Sequence, residues 1–186
     1  YYTRDIGSFR LKAGARFEYY HYHSDLFKQD GSRISPSSDR FLNYFLSFTM
    51  DTYDRRYFPT RGAQVRLHGI LHTDNGIRYD DDVPFGEVSL HAETAVRLAP
   101  KLYMLPSLKG RMLFGSNIPS IYQNCAGGPF DGNYLPWQMA WETAQHVHQL
   151  ENNAVAARLA MRYRVKGKFY LTALGEYGKE AHEIVH

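Results

Sequence analysis

The sequence predicts an all-β fold: a segment of an antiparallel, up-and-down transmembrane β-barrel with one especially long loop. Three observations predict it. Apolar and polar residues alternate with a period of two over seven stretches. Most of these stretches run ten residues or more, close to the ~9–11 that cross a bilayer as a tilted strand. The connections between them go long, short, long, short, long, short. Up-and-down strands then put every long loop on one rim and every short turn on the other, as in barrels that span a membrane. No apolar run approaches the ~18 residues that would mark a transmembrane helix.

The first strand is expected over 7–22, with Phe9, Leu11, Ala13, Ala15, Phe17 and Tyr19 on one face and Arg10, Lys12, Arg16 and Glu18 on the other. A Ser, Asp, Gly and Pro-rich connection follows from His23 to Arg40. The second strand, 41–50, has Leu42, Tyr44, Leu46, Phe48 and Met50 as its apolar face, and Asn43, Ser47 and Thr49 share the other with Phe41 and Phe45. The turn Asp51–Gly62 separates it from the third strand, 63–72. A polar connection carrying Asp80-Asp81-Asp82 leads to the fourth strand, 87–98, and Ala99-Pro100-Lys101 leads to the fifth, 102–114. Pro106 cannot donate to a ladder, so a bulge or local bend is expected there. Residues 115–153 do not alternate and form the long loop, with a short helix expected over Trp137–Leu150. The sixth strand, 154–165, and the seventh, 169–177, flank Lys166-Gly167-Lys168.

Alternation alone does not say which face points inward. A lipocalin-like soluble barrel has an apolar interior and a membrane barrel a polar one. Charges of both signs on the polar face suit either a wet lumen or a soluble surface. Strand length and loop asymmetry favour the membrane, and so do the two open edges that seven strands leave without a disulfide staple.

Composition narrows the function. With 22 Lys and Arg against 19 Asp and Glu, the net charge of +3 gives no case for nucleic acid. The single Cys125 rules out an internal disulfide framework and a Cys-rich zinc site. The chain carries 15 Tyr and 11 Phe, a heavy aromatic load. It begins Tyr1-Tyr2, with no Met or signal peptide and almost within a strand pattern, so it is expected to be part of a longer protein.

The turn reads Asp51-Thr52-Tyr53-Asp54-Arg55-Arg56-Tyr57-Phe58-Pro59-Thr60-Arg61-Gly62. Pro59 fixes φ and Gly62 permits φ > 0, which makes a tight reversal. Asp51 or Asp54 is expected to pair with Arg55, Arg56 or Arg61. Tyr53, Tyr57 and Phe58 suit either an interfacial aromatic girdle or a packed turn. The D-x-x-D…F-P-T-x-G pattern of Asp51, Asp54, Phe58, Pro59 and Gly62 resembles the turn signature of the Omp85 superfamily, whose barrel is also called the bacterial surface antigen or D15 domain. Gly127-Gly128 stands where that family has its inward-folding sixth loop, and Met161-Arg162-Tyr163-Arg164 resembles the strand after it. With Leu135-Pro136-Trp137, the loop is similar to that of barrels following a patatin-like phospholipase domain in Bacteroidetes-type proteins. The resemblance covers about Phe41 to Tyr177. One departure is plain. Many of the family carry an Arg-Gly pair at the loop tip, which locks into the barrel wall; here Trp137-Gln138-Met139-Ala140 stands there.

The resemblance implies an interior slice of a sixteen-stranded barrel in the bacterial outer membrane. It would anchor, insert or translocate a passenger, such as a fused N-terminal patatin-like lipase domain. Its partners would be outer-membrane lipid and that passenger; the sequence gives no oligomeric state. No G-x-S-x-G nucleophile elbow occurs in these residues, so no catalytic residue is expected here. His21-x-His23 and His146-x-His148 pair imidazoles, and Glu142 would align with His146 on a helix, yet no third ligand is suitably spaced. Asp131-Gly132 lacks the serine a hydrolase dyad needs. Asp80-Asp81-Asp82 lacks calcium-loop spacing and reads as a solvated run. No metal or cofactor is expected.

Overall fold

The computed structural model describes residues 1–22, 37–79, 83–115, 118–119, 122–128, 132, 135, 137–141 and 148–181. Its strands are β1 (Tyr2–Ile6), β2 (Phe9–Tyr22), β3 (Ser37–Asp51), β4 (Gly62–Thr73), β5 (Phe85–Ala99), β6 (Leu102–Phe114), β7 (Cys125–Ala126), β8 (His148–Gln149), β9 (Asn153–Lys166) and β10 (Phe169–Ala181). Eight of them form one sheet in the order β1-β2-β3-β4-β5-β6-β9-β10, antiparallel at every step. β7 and β8 pair separately, inside the connection between β6 and β9. Chain order equals sheet order apart from that ribbon, so the meander is the expected up-and-down one.

The strand expected over 7–22 is instead the second arm of a hairpin. Gly7, at φ 60°, opens a two-residue turn with Ser8, and Ile6 pairs with Phe9. The alternation of β1 is unreadable because Arg4 shares the outward face with Tyr2 and Ile6. Pro106 causes no register shift; its pairing to Leu159 of β9 runs in register. The β5–β6 ladder shifts register between Arg97 and Ala99, beside the turn, and it is interrupted at Leu105 and Pro106, which have no partners on β5 between the Glu93–Ser107 and Val96–Met104 pairs. The helix expected over Trp137–Leu150 is not formed at either described end. Met139 and Trp141 make isolated bridges to Ala126 and Gly128, and His148–Gln149 is β8. The middle of that stretch lies outside the described residues.

Register fixes the two faces. Phe17 stands opposite Leu42, Tyr44 opposite Leu71, Leu67 opposite Leu90, and Leu108 opposite Ala157. Together they make a continuous apolar band, and it is bare: Phe17 is 65 % exposed, Leu46 56 % and Leu171 66 %. Soluble monomers rarely leave so extended an apolar patch uncovered. The opposite, polar face is the covered one. There Phe41 and Phe85 pack with Tyr122 from the long connection, and Ala154 packs with Ala126 and Met139. The apolar face of a lipocalin-like barrel would be the filled one, so this arrangement is the reverse of that alternative and matches a membrane barrel.

Candidate functional site

The polar face presents two built features: a clamp that holds the long connection, and the Asp51–Gly62 turn folded over the same face. The clamp starts from charges that would be costly to bury alone. Glu87 on β5 and Arg111 on β6 are both buried and form an ion pair. Arg111 also donates to the Tyr122 carbonyl at 2.6 Å and to Asn124 Oδ1 at 3.1 Å, and lies 5.2 Å from the Trp137 ring. His72 of β4 completes the wall. Its Nδ1 is 3.1 Å from Asn43 Oδ1, its Nε2 is 3.8 Å from Glu87, and its ring stacks on Phe85 at 4.4 Å.

Glu18 on β2 is the second anchor. It accepts from the Tyr122 hydroxyl at 2.7 Å, from Asn43 Nδ2 at 2.9 Å and from the Tyr20 hydroxyl at 3.2 Å, and pairs with Arg16 at 2.6 Å. Burial, with Glu18 beside it, pushes the Tyr122 hydroxyl far above the usual tyrosine range, which keeps it a donor. Burial likewise raises the Cys125 thiol, against a smaller opposing pull from Arg111. Asn124 closes the base of the connection by donating to the carbonyls of Glu151 and Asn152 at 2.9 and 2.8 Å.

The residues singled out for the long loop take distinct places. Gly127 and Gly128 have φ of 154° and 72°, and the second is the left-handed conformation that glycine adopts without strain. Gly127 N donates to the Met139 carbonyl, and Trp141 N to the Gly128 carbonyl. Leu135 accepts from Gln138 N at 2.9 Å. Trp137 stacks on Tyr122 at 5.2 Å and donates to the Gln123 carbonyl. Pro136 lies outside the described residues. Trp137-Gln138-Met139-Ala140 stands where the family's Arg-Gly pair was expected, and a wall arginine, Arg111, grips the loop from the sheet. Glu18, His72, Glu87, Arg111, Tyr122 and Asn124 were not picked out by sequence. The one signal among them was placement on the polar face of a strand, as for Glu18.

In the turn, the carboxylates bind the turn itself. Asp51 accepts from Tyr53 N and Gln64 Nε2 at 3.0 and 2.9 Å. Asp54 accepts from Thr60 N at 2.9 Å, Thr60 Oγ1 at 2.6 Å and Arg61 N at 3.2 Å. These bonds, the Thr60 hydroxyl foremost, hold the Asp54 carboxyl down at about 2. Of the expected arginine pairings, Arg55 approaches Asp54 only at 3.8 Å. Gly62 has φ of 103°, and a Cβ there would sit 2.3 Å from the Thr52 carbonyl oxygen.

Phe58, at φ 52°, is the one non-glycine residue with positive φ among the described residues. Its ring stacks on Tyr170 of β10 at 4.8 Å, and the Arg162 guanidinium of β9 lies 5.2 Å from it. Burial and nearby Glu93 push the Tyr53 hydroxyl up. The turn joins β3 to β4, so it reaches strands three and four places away in the sheet. Such a reach requires the sheet to curl with its polar face concave, as a barrel wall does. Between the polar face and the loop residues Trp137–Met139 lies a cavity of about 360 Å³, lined by Arg16, Arg66, His68, His91, Lys109 and Gln138 among others.

His23, Asp80-Asp81-Asp82, Asp131, Glu142 and His146 lie outside the described residues. Among the described residues, no three His, Cys, Asp or Glu converge as metal ligands.

Comparison with known proteins agrees with this geometry. The model of the OMP85 superfamily matches residues 3–185, which takes in all eight strands of the sheet and the clamped loop. No curated protein matches the chain. A curled antiparallel wall with a bare apolar exterior, matched over nearly its whole length by that family, makes this chain a member of the OMP85 superfamily, whose proteins are outer-membrane proteins.

Proposed function

We propose that the chain is the wall of an outer-membrane barrel that anchors, inserts or translocates a passenger protein, a patatin-like lipase domain fused ahead of it. Superfamily membership supports an insertion or translocation role in general terms. The observation that carries the reading is the long loop bound to the polar face by Glu18, Arg111 and Glu87. A loop fixed inside the lumen sets what passes, while the bare apolar face holds the wall in lipid. The work is mechanical, and these residues contribute no chemistry. β1 and β10 are the edges of the sheet, and in hydrocarbon their unpaired backbone groups need further strands. We therefore assign the eight strands to a larger barrel, and any hydrolase chemistry to a domain outside them.

Fractionation of the full-length protein tests the anchoring role. The expected result is recovery with outer membranes and heat-modifiable gel mobility. Recovery as a soluble periplasmic monomer overturns it. The passenger is tested on the parent gene: a G-x-S-x-G ahead of the barrel, with esterase activity lost on replacing its serine by alanine, is the expected result.

A further inference from the structure

The near-neutral net charge conceals a segregation. The four short turns fall at one rim of the sheet. With their flanking residues, they span Arg4–Arg10, Asp51–Gly62, Arg97–Leu102 and Arg164–Phe169. These segments hold ten Lys and Arg against three Asp. The rest of the chain holds twelve Lys and Arg against sixteen Asp and Glu. The three aspartates on the rim are engaged. Asp5 pairs with Arg10 at 2.7 Å, and Asp51 and Asp54 bind groups within their own turn. Arg55, Arg56, Lys101, Lys166 and Lys168 are exposed.

The neighbours of these cations are apolar and equally exposed. Phe169 next to Lys168 is 78 % exposed, and Phe9, Leu98 and Val165 of the bare face lie along the same rim. An apolar band that ends in a ring of cations is the arrangement that seats lysine and arginine stems in hydrocarbon and their charges among headgroups.

We propose that the short-turn rim binds the phosphate headgroups of anionic phospholipids in the adjoining leaflet. The proposal rests on the reading that the apolar face contacts lipid. The rim takes anionic lipid in preference to zwitterionic lipid, and this fixes the height and orientation of the wall in the bilayer. Phosphate oxygens accept from Lys101, Lys166 and Lys168 while Phe169 and Phe9 lie just below the headgroups. Each such cation near an anionic surface is worth about a fivefold change in affinity.

The test uses the full-length protein in phosphatidylcholine nanodiscs with and without phosphatidylglycerol, and reads retained lipid by native mass spectrometry. The expected result is at least about fivefold enrichment of phosphatidylglycerol over its bulk fraction, weakened by added salt. The combined Lys101→Gln, Lys166→Gln and Lys168→Gln variant should lose the enrichment and still enter phosphatidylcholine discs. Equal retention of the two lipids, or unchanged enrichment in the variant, overturns the proposal. Binding of soluble polyglutamate that matches the phosphatidylglycerol preference overturns it in favour of an acidic protein partner. Failure to enter even phosphatidylcholine discs overturns the lipid-facing reading itself.

Discussion

Arg111 and Gly62 carry the sharpest single-residue consequences. Arg111→Ala leaves Glu87 buried with only His72, at 3.8 Å, beside it, which costs about 3–5 kcal/mol. The heat-modifiable folded form should convert at a lower temperature, and the double change Arg111→Met with Glu87→Leu should recover most of the loss. At Gly62 a methyl group meets the Thr52 carbonyl at an unfavourable φ, so Gly62→Ala should cost about 1–3 kcal/mol in urea titration. Gly175→Ala, with nothing within 4 Å of the added carbon, is the matched control and should change little. The Asp54 carboxyl sits at about 2 against an ordinary 3.8. Its support for the turn is complete above about pH 4 and is lost as pH falls towards 2. It is solvent-exposed, so the effect is small and local. Carbon-13 NMR should place its midpoint near 2, and Thr60→Val, which removes the leading donor, should move that midpoint up. None of these partnerships was legible in the sequence. Glu87 and Arg111 are 24 residues apart and Glu18 and Tyr122 are 104 apart, and alternation identifies a face without identifying a partner on it.

Individual elements were legible to the degree that their outward faces are uniform. Leu42, Tyr44, Leu46, Phe48 and Met50 announce β3 because lipid-facing positions accept only apolar groups. β1 stayed hidden because Arg4 interrupts that face near the rim, where a long side chain reaches water. The β7–β8 ribbon was hidden for another reason: two-residue strands have no period, and their bridges to Met139 and Trp141 depend on long-range closure. The turn was legible as a turn, from Pro59 and Gly62, and as a family landmark. Its inward fold was not, because Phe58 and Tyr170 come together only when the whole wall curls. That stacking makes a prediction for the element. In liposomes with the short-turn rim exposed, Phe58→Ala should free the turn and raise trypsin cleavage after Arg55, Arg56 or Arg61 several-fold. Unchanged cleavage would mean that Asp51 and Asp54 alone hold it.

For the molecule as a whole, function follows from which face is filled. The polar face is lined by Glu18, His72, Glu87 and Arg111 and occupied by the long loop. The apolar face is bare across all the long strands. A wall of this kind needs lipid outside and a fixed loop inside, and the superfamily match places it among outer-membrane proteins. The most direct measurement is spin-label accessibility in the liposome-embedded protein, on a Cys125→Ala background. Labels go at outward Leu46, Leu90 and Leu171 and at their inward neighbours Ser47, Ser89 and Thr172. The predicted result is a strict alternation, with the leucine sites relaxed by oxygen and the Ser and Thr sites by a water-soluble nickel complex. The opposite alternation, with the leucine sites reached only by the water-soluble reagent, would contradict the membrane-wall reading.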